Sequence, residues 1–255
     1  MTDHVAVALK DGILALTLQR PEKKNALTDE MYQALFEGFE RARQDPAIRC
    51  VLLGGSDGCF TSGNDLVGFS KWGDVGCALE TLPVVRLMRT LITFDKPIVC
   101  AVEGLAIGFG TTVLMHCDLV VSARNARFQM PFVRLGLVPE FGSTLLLPWL
   151  AGRAQAARFG LLGEPFGSDE ALQMGLVSHV VDNGAVAEMA HNLAQQLAAL
   201  PPQAASRTKA LMRQGFGAQQ LNAAIDAEIE HFGECLRGDE HKQALQGLAR
   251  RGPQP

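Results

Sequence analysis

The chain has 255 residues and a formal net charge of −4 at pH 7, from 23 basic and 27 acidic side chains. Its 47% hydrophobic and 20% charged content fits a globular protein and excludes a disordered or fibrous one. The absence of a basic surplus argues against a dedicated nucleic-acid binder, and no apolar run reaches the ~18 residues of a membrane span. The six cysteines include no CxxC pair, and Met1-Thr2-Asp3-His4-Val5 lacks the layout of a secretory signal. The expectation is a cytoplasmic protein with reduced cysteines, no nucleic-acid partner and no membrane partner.

In chain order, Val5 to Leu9 and Ile13 to Leu18 predict two strands, joined by Asp11-Gly12 as a tight hairpin turn. Thr28 predicts an N-cap, followed by Met31, Leu35 and Phe39 at helical spacing. Cys50 to Leu53 predicts a buried strand stopped by Gly54-Gly55, and Thr61 to Leu82 reads as irregular. Leu82 to Phe94 predicts a helix, and Pro97 to Val102 predicts the clearest buried strand. A glycine-rich turn from Gly104 to Gly110 leads into an apolar, helix-like segment through Met115. Asp118 to Val121 predicts another strand. From Ala151 the pattern is mainly helical, interrupted by a strand at Val177 to Val181. Pro201-Pro202 separates two amphipathic helices. This gives a β/α body over 1–195 and a helical region over 196–255, with no linker between them.

Four segments carry candidate chemistry. Gly54-Gly55-Ser56-Asp57-Gly58 matches GxSxG, but a nucleophile elbow needs a helix directly after the serine, and none is predicted. A plain turn is the expectation. The Gly104 to Gly110 turn has neither a dinucleotide nor a Walker pattern; it offers unobstructed N–H groups able to bind an oxyanion, or serves only as a turn. His116-Cys117-Asp118 has ligand-type letters, yet adjacent residues on a regular element cannot converge on one ion. No metal site is expected. Glu140 stands among apolar and small residues, Gly136-Leu137-Val138-Pro139-Glu140-Phe141-Gly142. Shielded from water, such a carboxylate has a raised pKa and can act as a base toward carbon; the other reading is a helix-start glutamate facing solvent.

Taken together, Phe60-Thr61-Ser62-Gly63-Asn64-Asp65-Leu66 resembles an F-x-x-G-x-D-[LIF] loop. Lys96 to Gly104 resembles a K-P-[VI]-[IV]-A-A-[VI]-x-G strand and turn, and Met174-Gly175-Leu176-Val177 resembles an A-x-x-x-G-L-V element. In this order, from about residue 5 to 250, the chain resembles the crotonase superfamily, the enoyl-CoA hydratases and isomerases. The resemblance implies an α/β spiral of ββα units with a helical C-terminal region, assembled as trimers or pairs of trimers. It implies an acyl-CoA substrate, with coenzyme A as a handle and no separate cofactor. It also implies an oxyanion hole made by the N–H groups of Asn64 and Phe109. Lys23, Lys24 and Lys209 are the cations implied for the coenzyme A phosphates. Ala26, Ser62, Gly63, Asp65, Leu66, Gly108 and Gly110 are implied around the ligand, Asp65 touching it or bracing the loop, and Phe232 flanks the pantetheine or packs.

The family's hydratases carry glutamates at the positions of Thr112 and Phe132, and both are absent here. Pro131-Phe132-Val133-Arg134-Leu135-Gly136-Leu137-Val138-Pro139-Glu140 instead resembles the P-F-x-x-L-G-x-x-P-E of peroxisomal-type Δ3,Δ2-enoyl-CoA isomerases, with Phe132 beside the substrate and Glu140 as the single base. The expected activity is this isomerisation, without hydration. Two alternatives stay open: a family isomerase or hydratase for another acyl-CoA, such as a thioester of aromatic breakdown, and a non-catalytic acyl-CoA binder.

Overall fold

The computed structural model describes residues 2–65, 68, 70–73 and 78–251. Leu66 and Cys77 therefore lie outside the described residues.

The chain opens with the expected hairpin. β1 (Val5–Lys10) and β2 (Ile13–Leu18) pair antiparallel. The turn between them has positive φ at Asp11 (52°) and Gly12 (78°), the handedness that matches strand twist. Thr28 caps α1 (Asp29–Gln44), its hydroxyl accepting from the Met31 N–H at 3.4 Å, and Met31, Leu35, Phe39 and Ala42 bury one face. β3 (Cys50–Gly55) corrects the expectation that Gly54-Gly55 ends the strand: Gly54 pairs with Thr17 and Gly55 with Leu18. The glycine is needed there for another reason. A Cβ on Gly55 would lie 2.1 Å from the Cys59 carbonyl oxygen, so the strand can continue only without one.

α2 (Pro83–Ile92) packs beside α1, with Phe39 and Phe94 edge to face at 5.1 Å. β4 (Ile98–Val102) and β6 (Leu119–Ala123) join the first sheet, as does β9 (His179–Val181), in the order β1-β2-β3-β4-β6-β9. Among the described residues of this sheet, only the β1–β2 pair is antiparallel. The central strands are almost wholly buried, which explains their continuous apolar letters. A second sheet, not anticipated, consists of β5 (Leu105–Ile107), β7 (Arg127–Gln129) and β8 (Phe166–Gly167). β5 lies inside the glycine-rich segment read as a turn. Beyond it, the helix-like segment is the four-residue α3 (Phe109–Thr112) and a 3-10 turn (Val113–His116).

The helical part starts earlier than expected, with α4 (Ser143–Gly160), which kinks at Gly152. α5 (Ser168–Gln173), α6 (Val186–Ala199), α7 (Pro202–Arg213), α8 (Ala218–Arg237) and α9 (Asp239–Arg251) follow. One apolar core runs from Val5 to Leu236, so α8 is built into it through Ile225, Phe232 and Leu236. The architecture is an α/β fold with helices closing the C-terminal end, as expected.

Candidate active site

Two chain segments meet at the centre of the site. The 61–64 stretch runs beside β5: the Thr61 N–H donates to the Leu105 carbonyl at 2.8 Å, and the Ile107 N–H returns to Thr61 at 3.1 Å. Gly63 has φ 89°, and a Cβ there would sit 2.8 Å from the Ile107 carbonyl oxygen, so only glycine permits this approach. Gly108, at φ 56°, turns the chain into α3 after donating to the Gln129 carbonyl. The Phe109 N–H is then a first-turn helix donor without an intrahelical acceptor. Among the described residues neither the Phe109 N–H nor the Asn64 N–H has an acceptor.

Tyr32, fully buried on α1, touches both residues. Its hydroxyl donates to Asn64 Oδ1, and its ring meets Phe109 edge on at 5.0 Å. Sequence reasoning missed this contact. Tyr32 carried no signal beyond its place one residue along from an apolar stripe.

Asn64 and Glu140 line one narrow cavity, whose remaining wall includes Trp72, Met88, Ile229 and Phe232. Glu140 is 8% exposed. Its Oε1 accepts from the Thr112 hydroxyl at 2.5 Å, whereas its buried Oε2 has no hydrogen-bond partner. Burial pushes the Glu140 pKa up from 4.5 to about 8; the Thr112 hydrogen bond opposes that shift, and the charge of Glu228 adds to it. Among the described residues, Glu140 is the one carboxylate on the cavity wall. Phe132, also buried, lies next to Gly108, its Cζ 3.9 Å from where a Cβ would stand. The arrangement can remove a proton from a carbon acid and hold the resulting oxyanion on main-chain donors.

The implied coenzyme A residues divide into two groups. Lys23, Lys24, Ala26, Ser62, Gly63 and Asp65 come together: the Ser62 N–H donates to Lys24 at 2.9 Å, the Leu27 N–H to Gly63 and the Asp65 N–H to Leu27, each at 2.8 Å. Lys23 and Lys24 are exposed. Asp65 braces this unit through Arg20, whose Nη1 reaches its carboxylate at 2.6 Å and the Ala26 carbonyl at 3.0 Å. Asn25, wholly buried, ties the same unit to the Ser56 and Cys59 carbonyls. Ser56 stands in a turn with Asp57 and Gly58 at positive φ, not at a nucleophile elbow.

The second group departs from expectation. Lys209 is 4% exposed, and its ammonium is held 2.6 Å from both Asp118 Oδ2 and the Lys96 carbonyl. It is a core ion pair, with no reach to an external phosphate. Burial pushes its pKa down to about 8, while Asp118 opposes the shift. Gly110 is buried against the Thr61 side chain, 2.5 Å from a hypothetical Cβ, and serves packing there. His116 and Asp118 enter separate networks, His116 with the Phe141 carbonyl and Asp118 with the Ile98 N–H and Lys209.

Comparison with known proteins places the chain in one family. The family model described as Enoyl-CoA hydratase/isomerase matches residues 8–254. The chain is 34% identical to 1,2-epoxyphenylacetyl-CoA isomerase of Escherichia coli (strain K12), over 100% of this chain and 98% of that protein. It is 31% identical to enoyl-CoA delta isomerase 2 of Rattus norvegicus, over 98% of this chain and 64% of that protein. Among solved structures, an enoyl-CoA hydratase/isomerase from Pseudoalteromonas atlantica T6c superposes with a TM-score of 0.91 at 38% identity, covering 98% of each chain.

Proposed function

The chain belongs to the enoyl-CoA hydratase/isomerase family, and from that premise we propose that it is a Δ3,Δ2-enoyl-CoA isomerase with Glu140 as its single base. The observation that carries this reading is the buried, unpartnered Glu140 Oε2 on an apolar wall shared with Asn64 and, among the described residues, with no second carboxylate.

In this reading the thioester oxygen accepts the N–H groups of Asn64 and Phe109. Glu140 removes a proton from C2, and the C–H electron pair forms a C1–C2 double bond as the carbonyl pair moves onto oxygen, giving a dienolate conjugated with the C3–C4 double bond. Glu140 then returns the proton to C4, leaving the double bond between C2 and C3. Each main-chain donor of this type contributes a factor of roughly 100 to 1,000 in rate. A dry cavity keeps water from competing for the proton. Lys23 and Lys24, exposed beside the 62–65 loop, are assigned to the coenzyme A phosphates. The shuttle needs no cofactor beyond the coenzyme A of the substrate itself.

In this reading hydration is not an activity of the chain. It needs one group to hold and deprotonate water and another to protonate carbon. Thr112 donates its hydrogen bond to Glu140, and Phe132, buried beside Gly108, offers an apolar ring and no second carboxylate.

A second reading, isomerisation of a ring-bearing thioester, draws on the full-length likeness to the Escherichia coli relative. One panel separates the two. Purified protein is given straight-chain 3-enoyl-CoA esters and ring-bearing thioesters, and formation of the conjugated 2-enoyl product is followed by absorbance. The proposal expects turnover of simple 3-enoyl chains, reduced on the order of 100- to 10,000-fold by Glu140→Gln. Undiminished turnover by that variant overturns the assignment of the base, and turnover of ring thioesters alone selects the second reading.

A further inference from the structure

Phe141, the residue after Glu140, has φ 64°, and Gly142 follows at 71°. Two consecutive left-handed residues, one of them aromatic, form a strained turn that persists only if its surroundings impose it. Here those surroundings are buried polar groups that the proton shuttle does not use.

On one side, the His116 ring stacks on Phe141 with centroids 3.8 Å apart, and its Nε2 lies 2.8 Å from the Phe141 carbonyl oxygen. A carbonyl can only accept, so Nε2 carries the proton. Burial pushes the His116 pKa down to about 3, which leaves the ring neutral at working pH. On the other side, Glu228 of α8 accepts from the Gly142 N–H at 2.5 Å, the Thr144 N–H at 2.9 Å and the Thr144 hydroxyl at 2.6 Å. Its side chain thus satisfies the otherwise unpaired N-terminus of α4. Leu221 and Ile225, seven and three residues before Glu228 on the same helical face, close on Gly142. One residue past Glu228, that face continues into the cavity wall through Ile229 and Phe232.

We propose that His116 and Glu228 are positioning residues that clamp the Phe141–Gly142 turn from opposite sides and thereby aim the Glu140 carboxyl into the cavity. The inference rests on Glu140 being the base. The groups facing Glu140 are Thr112 from α3, Tyr32 from α1 and Glu228 from α8; His116 reaches it through Phe141, with Arg213 and Lys209 behind. A clamp of this kind acts on direction and on exclusion of water. A purely structural contact would act on stability alone.

The test uses two variants of the full chain. Glu228→Gln keeps the shape but turns an amide toward the donors of Gly142 and Thr144. His116→Phe keeps the ring stack and deletes the donor. Two quantities are measured: the ionisation midpoint of Glu140 by 13C NMR of glutamate-labelled, ligand-free protein, its signal assigned by absence from Glu140→Gln, and kcat and KM on a 3-enoyl-CoA. The expected result for His116→Phe, which removes no charge, is a midpoint moved downward by half a pH unit or more as the carboxyl gains water; Glu228→Gln lowers the midpoint through loss of its charge alone, so kcat is its readout, and in both variants kcat falls on the order of 10- to 100-fold while KM changes by less than about threefold. Wild-type kcat in folded Glu228→Gln, or wild-type kcat with an unmoved midpoint in folded His116→Phe, removes that residue from the clamp, and both results together overturn the proposal. If Glu228→Gln does not fold, His116→Phe alone decides. A midpoint shifted by His116→Phe in a protein whose wild type isomerises nothing upholds the clamp and discards the isomerase reading.

Discussion

Replacing Glu140 by Gln should make the protein more stable in alkaline solution, and the size of the gain follows from its burial. In the folded chain the carboxyl titrates at about 8 instead of 4.5, chiefly because burial disfavours the charged form. Between those two values the folded state binds the proton more tightly than the unfolded chain. Its contribution is therefore complete below pH 4.5 and is lost as pH rises through about 8. The displacement corresponds to roughly 5 kcal/mol across that window. Gln carries no charge and escapes this loss, although its buried amide adds a pH-independent penalty of about 1–3 kcal/mol. The slope of the difference is thus the diagnostic quantity. Thermal and urea denaturation of both proteins at pH 5, 7 and 9, at matched concentration, should show the variant gaining steadily, by on the order of 10 °C between the extremes. His116 and Lys209 are present in both proteins and cancel. Stability curves that run parallel from pH 5 to 9 would refute a buried, high-pKa carboxyl.

Three further outcomes follow from the same contacts. The kcat/KM for a 3-enoyl-CoA should rise with pH through a midpoint near 8, because the base must be ionised in the free enzyme; a flat profile from pH 6 to 9 would contradict that. Tyr32→Phe deletes the hydroxyl that holds Asn64 Oδ1, leaving an acceptor whose loss of partner costs about 1–3 kcal/mol; kcat should fall with KM nearly unchanged, and a change in KM alone would place Tyr32 outside the oxyanion hole. Lys209→Met should leave the KM for acyl-CoA unaltered but destabilise the fold by roughly 2–4 kcal/mol, less than a fully enclosed pair because the Asp118 side chain is 22% exposed. Weakened coenzyme A binding with intact stability would restore the phosphate role.

What the letters disclosed depended on how local the cause was. The hairpin was legible because Asp11-Gly12 sets its own backbone, and α1 because Thr28 caps it within three residues. The buried strands announced themselves as β-branched runs. β5, β7 and β8 did not, since two or three residues hold no period and exist only through partners far along the chain. Gly54-Gly55 was misread because the loop that requires those glycines, at Cys59 and Phe60, is invisible in a strand pattern. Glu140 could be singled out from its apolar neighbours and from the resemblance. Its support could not: Glu228 lies 86 residues away from Gly142 and reads as one more acidic residue on an amphipathic helix. Lys209 failed for the converse reason, because a surface-type residue on a helix gave no sign of Asp118 beneath it.

The shortest route to the central claim is to follow one hydrogen. A 3-enoyl-CoA carrying two deuteriums at C2 is converted in ordinary water, and the 2-enoyl product is analysed by mass spectrometry and NMR. A single enclosed carboxyl that carries the hydrogen from C2 to C4 predicts deuterium recovered at C4, with none transferred by Glu140→Gln. Product bearing only solvent hydrogen at C4 would contradict the account.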